Sequence, residues 1–239
     1  MKVKYSLILP AYNESKALPE LFSEAIEMLT REPELEVILV DNGSTDNSLA
    51  VINSLSIRMK KYNFRQFTKD INTGYGEGIW FGVEKAKGDF IIWSHADGQC
   101  SLHDVIKCIQ LFRSNGESKE VIIKGMRQER KLIDKIFSLI LECLNRLINN
   151  VKIEEINAQP NLIAKEKLIK MKDVPTDSTF ELAVLTKAAK MKMTIKYFPV
   201  KFHIRQHGVG NNDGLFKKFK FSYSCLRTML DLKSTNVNH

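Results

Sequence analysis

Three side chains that could donate lone pairs stand close together: His95, Asp97 and Gln99, at the end of Phe90-Ile91-Ile92-Trp93-Ser94-His95-Ala96-Asp97-Gly98-Gln99. Alternate residues of an extended segment share a side, so all three could face one crevice. Oxygen donors at that spacing suit a hard divalent ion that keeps positions open for a diphosphate. Asp-Gly is also ordinary turn chemistry, and alone the stretch reads equally well as a solvated loop. Two further carboxylates lie in polar stretches that follow apolar runs: Glu14 in Pro10-Ala11-Tyr12-Asn13-Glu14, and Asp41 in Asp41-Asn42-Gly43-Ser44-Thr45-Asp46. Each could accept from a base N–H or a ribose hydroxyl, and Tyr12 could lie flat on a base. Helix capping explains Asn13, Ser15, Ser44, Thr45 and Asp46 without any ligand. It explains less of Glu14 and Asp41.

These residues need elements to position them, and the pattern supplies alternating strands and helices. Lys4 to Leu9 predicts a first strand stopped by Pro10, followed by a helix over 16–30. Glu36 to Val40 predicts a second strand, and Ser44 or Thr45 would cap a helix running to Ile57. A third strand covers 64–68, a glycine-entered helix 74–86, and a fourth strand 90–93, whose bulky run between Gly88 and a polar turn fits a buried parallel strand. This order implies a doubly wound, mostly parallel sheet flanked by helices, with right-handed crossovers. Ligands of such sheets sit beyond the carboxyl ends of the strands, where the polar turns fall. Asn72-Thr73-Gly74-Tyr75-Gly76-Glu77-Gly78 lacks the spacing of a dinucleotide fingerprint or a P-loop. Its glycines, Gly74 first, would let a helix approach a nucleotide and the sheet closely. Downstream, the pattern predicts helices over 101–114, 131–150 and up to about Met191, and strands over 120–124, 194–198 and 200–204. Ser178-x-x-Glu181 matches a capping box.

Composition narrows the partners. The 239 residues are 44% apolar and 27% charged, ordinary for one globular α/β domain. A net charge of +8 favours an anionic partner such as a nucleotide diphosphate or an acidic membrane surface. No zinc-ligand spacing or Arg-Gly repeat speaks for nucleic acid. Cys100, Cys108, Cys143 and Cys225 form no CxxC pair, which suits small core residues in a reducing cytoplasm. No signal peptide or membrane span is expected. The 131–150 helix carries a broad apolar face that packing against the domain would bury. The basic amphipathic segment over 214–232 could equally pack inward or lie in a membrane interface.

Five motifs in register now carry a resemblance: Pro-Ala-Tyr-Asn-Glu from Pro10, Val-Asp-Asn-Gly-Ser-Thr-Asp from Val40, Asn-Thr-Gly-x-Gly-x-Gly from Asn72, Ala-x-Gly-Asp from Ala86 and Ala-Asp-Gly-Gln from Ala96. Together they resemble family 2 glycosyltransferases, in the flavour of the dolichyl-phosphate mannosyltransferase branch, most strongly over 5–99. The resemblance implies a single GT-A domain: a nucleotide-binding half over 1–99, an acceptor half over 100–210, and the basic segment from 211. It also implies a nucleotide-diphosphate sugar donor, inversion at the anomeric carbon, and a polyprenyl-phosphate or glycan acceptor. Pro10, Ala11, Tyr12, Glu14, Asp41, Gly74 and Asp97 would hold the nucleotide, with Asp97 and Gln99 on a Mn²⁺ or Mg²⁺ ion. His95 stands where the family has the first Asp of Asp-x-Asp. An imidazole suits Mn²⁺ better than Mg²⁺, so either the site leans to Mn²⁺ or Asp97 and Gln99 suffice.

Arg127 matches a position facing the donor phosphates, and Arg205 a mobile Arg-x-x-Gly phosphate loop. Asn157 to Asn161 lies where amides could meet sugar hydroxyls. A hydroxyl acceptor needs a general base, for which Asp177 is the first candidate and Glu181 the second; a lipid phosphate, already anionic, needs none. A sugar-nucleotide nucleotidyltransferase or a non-catalytic nucleotide- or membrane-binding module are the alternatives. The first would show a basic glycine loop after strand one, which Pro10 to Glu14 is not.

Overall fold

The computed structural model describes residues 2–129, 132–202 and 215–234, excepting the side chains of 215 and 216. The first half alternates as its hydrophobic runs dictate: β1 (Tyr5–Ala11), α1 (Leu18–Arg31), β2 (Leu35–Asn42), α2 (Ser48–Ser56), β3 (Phe64–Lys69), α3 (Tyr75–Lys85) and β4 (Phe90–Trp93). Then follow α4 (His103–Ser114), β5 (Val121–Gln128), α5 (Leu132–Asn149), β6 (Asn161–Ala164), α6 (Lys165–Ile169), α7 (Phe180–Lys190), β7 (Thr194–Lys201) and α8 (Leu215–Ser234). The sheet runs β3-β2-β1-β4-β6-β5-β7. Its first four strands are parallel, β6 is antiparallel to both β4 and β5, and β7 is parallel to β5. Every strand but β6 therefore ends at the same edge.

Both faces of the sheet are covered, which is why β1, β2 and β4 are continuous apolar runs. One core packs Leu7, Leu9, Val37 and Ile92 against α1, α2 and α4; the other packs Ile8, Ile38, Ile91 and Trp93 against α3, α7 and α8. Burial of this area is the main favourable contribution to folding.

Several expectations need correction. β1 does not stop at Pro10 but runs through it to Ala11, in register with Val40 and Asp41. Its pairing with β4 ends at Ile8, so the proline's missing N–H falls where that neighbour has already turned away. One strand, β7, runs from Thr194 to Lys201 through the break expected at Pro199, which is tolerated because β7 is an edge; positions 203 and 204 of the second expected strand lie outside the described residues. β6 was not anticipated, being only four residues long next to Pro160. Helix α2 is not capped by Ser44 or Thr45: it begins at Ser48, whose N–H donates to Asp46 Oδ1 at 2.9 Å. Neither Asn13 nor Ser15 caps α1, which starts at Leu18. Cys100, Cys108 and Cys225 are buried as expected, but Cys143 is exposed on α5.

Helix α3 lies so close to the sheet that a Cβ on Gly82 would sit 2.4 Å from Ile8 Cγ2. Gly82→Ala should cost roughly 1–3 kcal/mol through overpacking, measured as a lowered urea midpoint. An unchanged midpoint would contradict this close packing.

Candidate active site

At the shared carboxyl edge, the loops are tied to one another in sequence. Asn13, at a left-handed φ of 58°, accepts on Oδ1 from the Thr45 N–H at 2.8 Å and the Asp46 N–H at 3.2 Å, and donates its own N–H to Ser44 Oγ at 3.0 Å. The loops after β1 and β2 are thereby laced together. Asn42 Nδ2 donates to the Gly74 carbonyl at 2.9 Å, joining the second loop to the third. The Tyr75 ring lies 5.7 Å from the His95 ring, joining the third to the fourth. On the far side His95 meets Phe202 edge-on at 6.2 Å, and Phe202 carries the Arg127 guanidinium 5.3 Å over its ring. The start of α7 closes in from above: the Glu77 N–H donates to the Thr176 carbonyl at 2.9 Å. Gly74, at φ 132°, has Thr176 O within 2.6 Å of where a Cβ would stand. Glycine permits that close contact.

Along this rim, Pro10 and Ala11 form the end of β1, Tyr12 is exposed, and Glu14 is half-buried. Asp41 is 2% exposed; its Oδ1 takes the Ser44 N–H at 3.3 Å, and it has no other hydrogen bond among the described residues. Asp97 is half-buried, its Oδ1 accepting the Gln99 N–H at 3.0 Å across the left-handed Gly98. Asp177 is exposed, with Oδ1 fixed by the Thr179 N–H at 2.8 Å and hydroxyl at 2.7 Å. Arg127 is not an open cation: its Nε donates to Glu155 at 2.7 Å, and both side chains are 15% exposed. Arg205 lies outside the described residues.

Beneath the rim is a buried polar floor that the sequence did not announce. Glu181 is not part of a capping box: Thr179 is the N-cap of α7, with no side-chain capping bond. The Glu181 carboxylate instead points inward, 4% exposed, and accepts from Trp93 Nε1 at 3.3 Å, Tyr75 Oη at 3.3 Å and Gln159 Nε2. It is in no position to meet an acceptor from solvent. Burial, with Glu181 beside it, pushes the Tyr75 phenol well above the ordinary tyrosine range and keeps it a donor. Of the amides expected to meet sugar hydroxyls, Gln159 and Asn161 are fully buried and serve the interior, while Asn157 is half-buried. Asn161 Oδ1 accepts from Lys124 Nζ at 3.1 Å, and the same ammonium donates to the Ile156 and Ala158 carbonyls at 3.0 and 2.7 Å. The one sequence signal for this floor was a lysine inside the apolar run Val121-Ile122-Ile123-Lys124. A charge in a buried strand must be paired or hydrogen-bonded.

The metal question turns on the donor set. Among the described residues no group of three or more His, Cys, Asp or Glu side chains gathers to hold an ion. The turn offers the Asp97 carboxylate, with the His95 imidazole and the Gln99 amide as neighbours in sequence. This fits an ion that draws its remaining ligands from a diphosphate and water, the habit of hard cations at phosphate sites. It does not fit a closed structural centre.

A mostly parallel sheet with a switch in strand order beside β4, and acidic turns crowded at its carboxyl edge, is the arrangement of a nucleotide-binding α/β fold. The sequence model for Glycosyl transferase family 2 matches residues 6–132, and the chain belongs to that family. Bactoprenol glucosyl transferase of Shigella phage SfV is 24% identical over 199 residues, covering 82% of this chain and 63% of that protein. Human dolichyl-phosphate beta-glucosyltransferase is 34% identical over 108 residues, 43% of this chain and 33% of that one. The chain thus spans less than two thirds of the length of these curated relatives. Glucosyl-3-phosphoglycerate synthase from Mycobacterium tuberculosis, solved with Mn²⁺, uridine diphosphate and glucosyl-3-phosphoglycerate, superposes with a TM-score of 0.72 at 15% identity, over 98% of this chain and 81% of that one. A mannosyltransferase from Pyrobaculum calidifontis, solved with GDP-mannose and Mn²⁺, gives 0.67 at 14% identity, over 97% and 70%. These likenesses establish the GT-A fold.

Burial lowers the Lys124 pKa to about 7, against the pull of Glu181 in the other direction. An unfolded lysine titrates near 10.4. Between about 7 and 10 the unfolded chain therefore holds a proton that the folded chain has released, and stability rises with pH across that window. Below it both states are protonated and the gain is absent. The unfolding free energy of the wild type relative to Lys124→Met should accordingly increase from pH 7 to pH 9 in parallel denaturant titrations. A constant difference would contradict the buried, shifted lysine.

Proposed function

We propose that this chain transfers a sugar, with inversion at the anomeric carbon, from a nucleotide-diphosphate donor to a polyprenyl-phosphate or glycan acceptor. The observation that carries this reading is the chain of contacts along the rim. It links the loop after β2, which carries Asp41, through the loop after β3 to the loop after β4, which carries Asp97, in a single family 2 framework. In this reading Pro10, Ala11, Tyr12, Glu14, Asp41 and Gly74 surround the nucleoside, and Asp97 anchors a divalent metal that the diphosphate completes. When bound, such an ion neutralises the charge that gathers on a departing diphosphate. Mn²⁺ is the preferred ion, because His95 replaces a carboxylate and imidazole suits it better than Mg²⁺.

The acceptor oxygen attacks the anomeric carbon on the face opposite the leaving diphosphate. The rim supplies orientation and positive charge, which are the main sources of rate in such displacements. Asp177, exposed at the start of α7 with one oxygen free of hydrogen bonds among the described residues, takes the proton when the acceptor is a hydroxyl. A phosphate acceptor arrives ionised, and Asp177 then only orients it. Glu181 is assigned to holding Tyr75, Trp93 and Gln159. Arg127 reaches the phosphates by exchanging Glu155 for them, and Arg205 completes the charge clamp. Lipid-linked acceptors are favoured because the relatives named for bactoprenol and dolichyl phosphate align with this chain. The protein then works from the cytoplasmic membrane surface, and no described helix is long and apolar enough to cross the bilayer.

A screen of nucleotide sugars by thermal shift should find one that raises the melting temperature by several degrees with Mn²⁺ and far less without it. In Asp97→Ala the metal-dependent part of the shift should vanish. Release of nucleotide diphosphate should fall by at least about 10²-fold. Binding of a nucleotide sugar without turnover under any divalent ion would instead favour a non-catalytic module.

A further inference from the structure

The sequence gives α5 one broad apolar face, and the domain covers only part of it. Phe137, Leu141, Leu144 and Ile148 turn towards the domain, and the buried Asn145 and Asn149 bond to Thr186 at 3.1 Å and the Met229 carbonyl at 3.0 Å. The rest of that apolar face is left uncovered. Leu132, Ile133, Ile136, Leu139, Ile140 and Leu147 are all exposed, from 43% at Ile136 to 81% at Leu147. At 100° per residue these six occupy an arc of about 120°. Half-buried Phe137 meets Phe219 of α8 edge-on at 5.6 Å and extends the surface to the exposed Phe219 and Tyr223. A contiguous apolar patch of this kind on a soluble domain marks an interaction surface.

The border of the patch says what it meets. Lys135 and Arg146 flank the α5 arc, exposed and with no ion-pair partner among the described residues, and Lys217, Lys220 and Arg227 are exposed along α8. Of the acidic neighbours, Asp134 is engaged by Lys218, Glu142 accepts the Glu155 N–H at 2.8 Å, and Asp231 is exposed on α8. A two-fold dimer through this face would set the same cationic border against itself. An apolar arc with a cationic rim is complementary to an anionic bilayer.

On the Lys135–Arg146 flank, a cavity of about 430 Å³ runs between α5 and the 152–155 segment. Met126, Leu139 and Ile153 line it together with the cations, as does the Arg127–Glu155 pair, whose arginine stacks over Phe202. Of its three carboxylates, Glu154 and Glu155 are paired with Lys152 at 2.8 Å and Arg127 at 2.7 Å, and Glu142 accepts the Glu155 N–H. We propose that the outer face of α5 is the surface by which the protein lies on an anionic membrane, with this cavity opening at headgroup depth so that a lipid phosphate reaches the rim from the bilayer side. The assignment deepens the proposed function and rests on it for the identity of the lipid substrate.

Co-sedimentation of the full chain with vesicles of mixed phosphatidylcholine and phosphatidylglycerol tests it, alongside Mn²⁺-dependent binding of nucleotide diphosphate in the same preparations. The wild type should partition onto anionic vesicles and much less onto pure phosphatidylcholine. The pair Ile136→Glu with Ile140→Glu should lower partitioning by about tenfold or more while keeping the melting temperature and nucleotide binding. Lys135→Glu with Arg146→Glu should remove the preference for anionic lipid. Equal partitioning of the Ile136/Ile140 variant and the wild type overturns the proposal. So does a wild type that ignores vesicles, or that forms a dimer which the glutamates dissolve. Absence of vesicle binding with nucleotide binding intact removes the membrane face alone; absence of nucleotide binding with vesicle binding intact removes the transferase reading alone.

Discussion

Parallel strands deliver their loops to one edge without holding them there, and this protein's chemistry depends on how those loops hold one another. The strand ladders end at Ala11 and Asn42, and past Trp93 they add the Ser94 N–H to the Ile8 carbonyl at 3.2 Å and a bridge between Cys100 and Phe202, so most of each polar turn must be held by other contacts. Asn13, Asn42, the Tyr75–His95 ring pair and Phe202 supply the missing ties, each linking one turn to the next. A diphosphate site needs this because its binding energy is useful only when donors and charges are already in place. His95 takes on a particular sense here. Flanked by two aromatic rings, it packs the fourth loop between the third loop and β7, whatever else it does for an ion.

The layer under the rim is polar and largely hydrogen-bonded, with Gln159 Oε1 and Ser94 Oγ buried without a partner among the described residues. Glu181 collects three donors from three different elements, and Lys124 gives three hydrogen bonds to the segment that leads into β6. Buried ionic groups of this sort add little net stability over apolar replacements, but a missing partner is costly. Their contribution is to specify one arrangement: α3, β4, the 156–161 segment and α7 must all arrive together for any of them to be satisfied. The antiparallel β6 is the element that brings that segment to the active edge, since it begins where the parallel strands end.

Much of this was legible in the residues, and the losses have physical causes. The four parallel strands and the Asp97 turn could be read because strands buried on both faces are long apolar runs, and the turns after them are short and polar. Pro10 and Pro199 misled for the same reason: proline forbids a ladder bond only where a neighbour is present to accept it. Ser178-x-x-Glu181 had the spacing of a capping box, yet α7 starts one residue later. Its glutamate faces Trp93 because the helix end is set over the sheet, a tertiary fact with no local signature. Gln159 and Asn161 looked like surface amides in a turn until β6 buried them. The broad apolar face of α5 was present in its sequence; which part of it the domain would leave uncovered was not.

The central claim is that Asp97 holds a divalent cation whose other ligands come from a nucleotide diphosphate. Electron paramagnetic resonance of Mn²⁺ bound to the protein with uridine diphosphate, its phosphate oxygens enriched in ¹⁷O, reads that bond directly. The account predicts broadening of the Mn²⁺ lines by ¹⁷O in the wild-type complex and loss of the protein-bound signal in Asp97→Asn. Lines that stay narrow with labelled diphosphate, or a bound signal unchanged by the substitution, would contradict it.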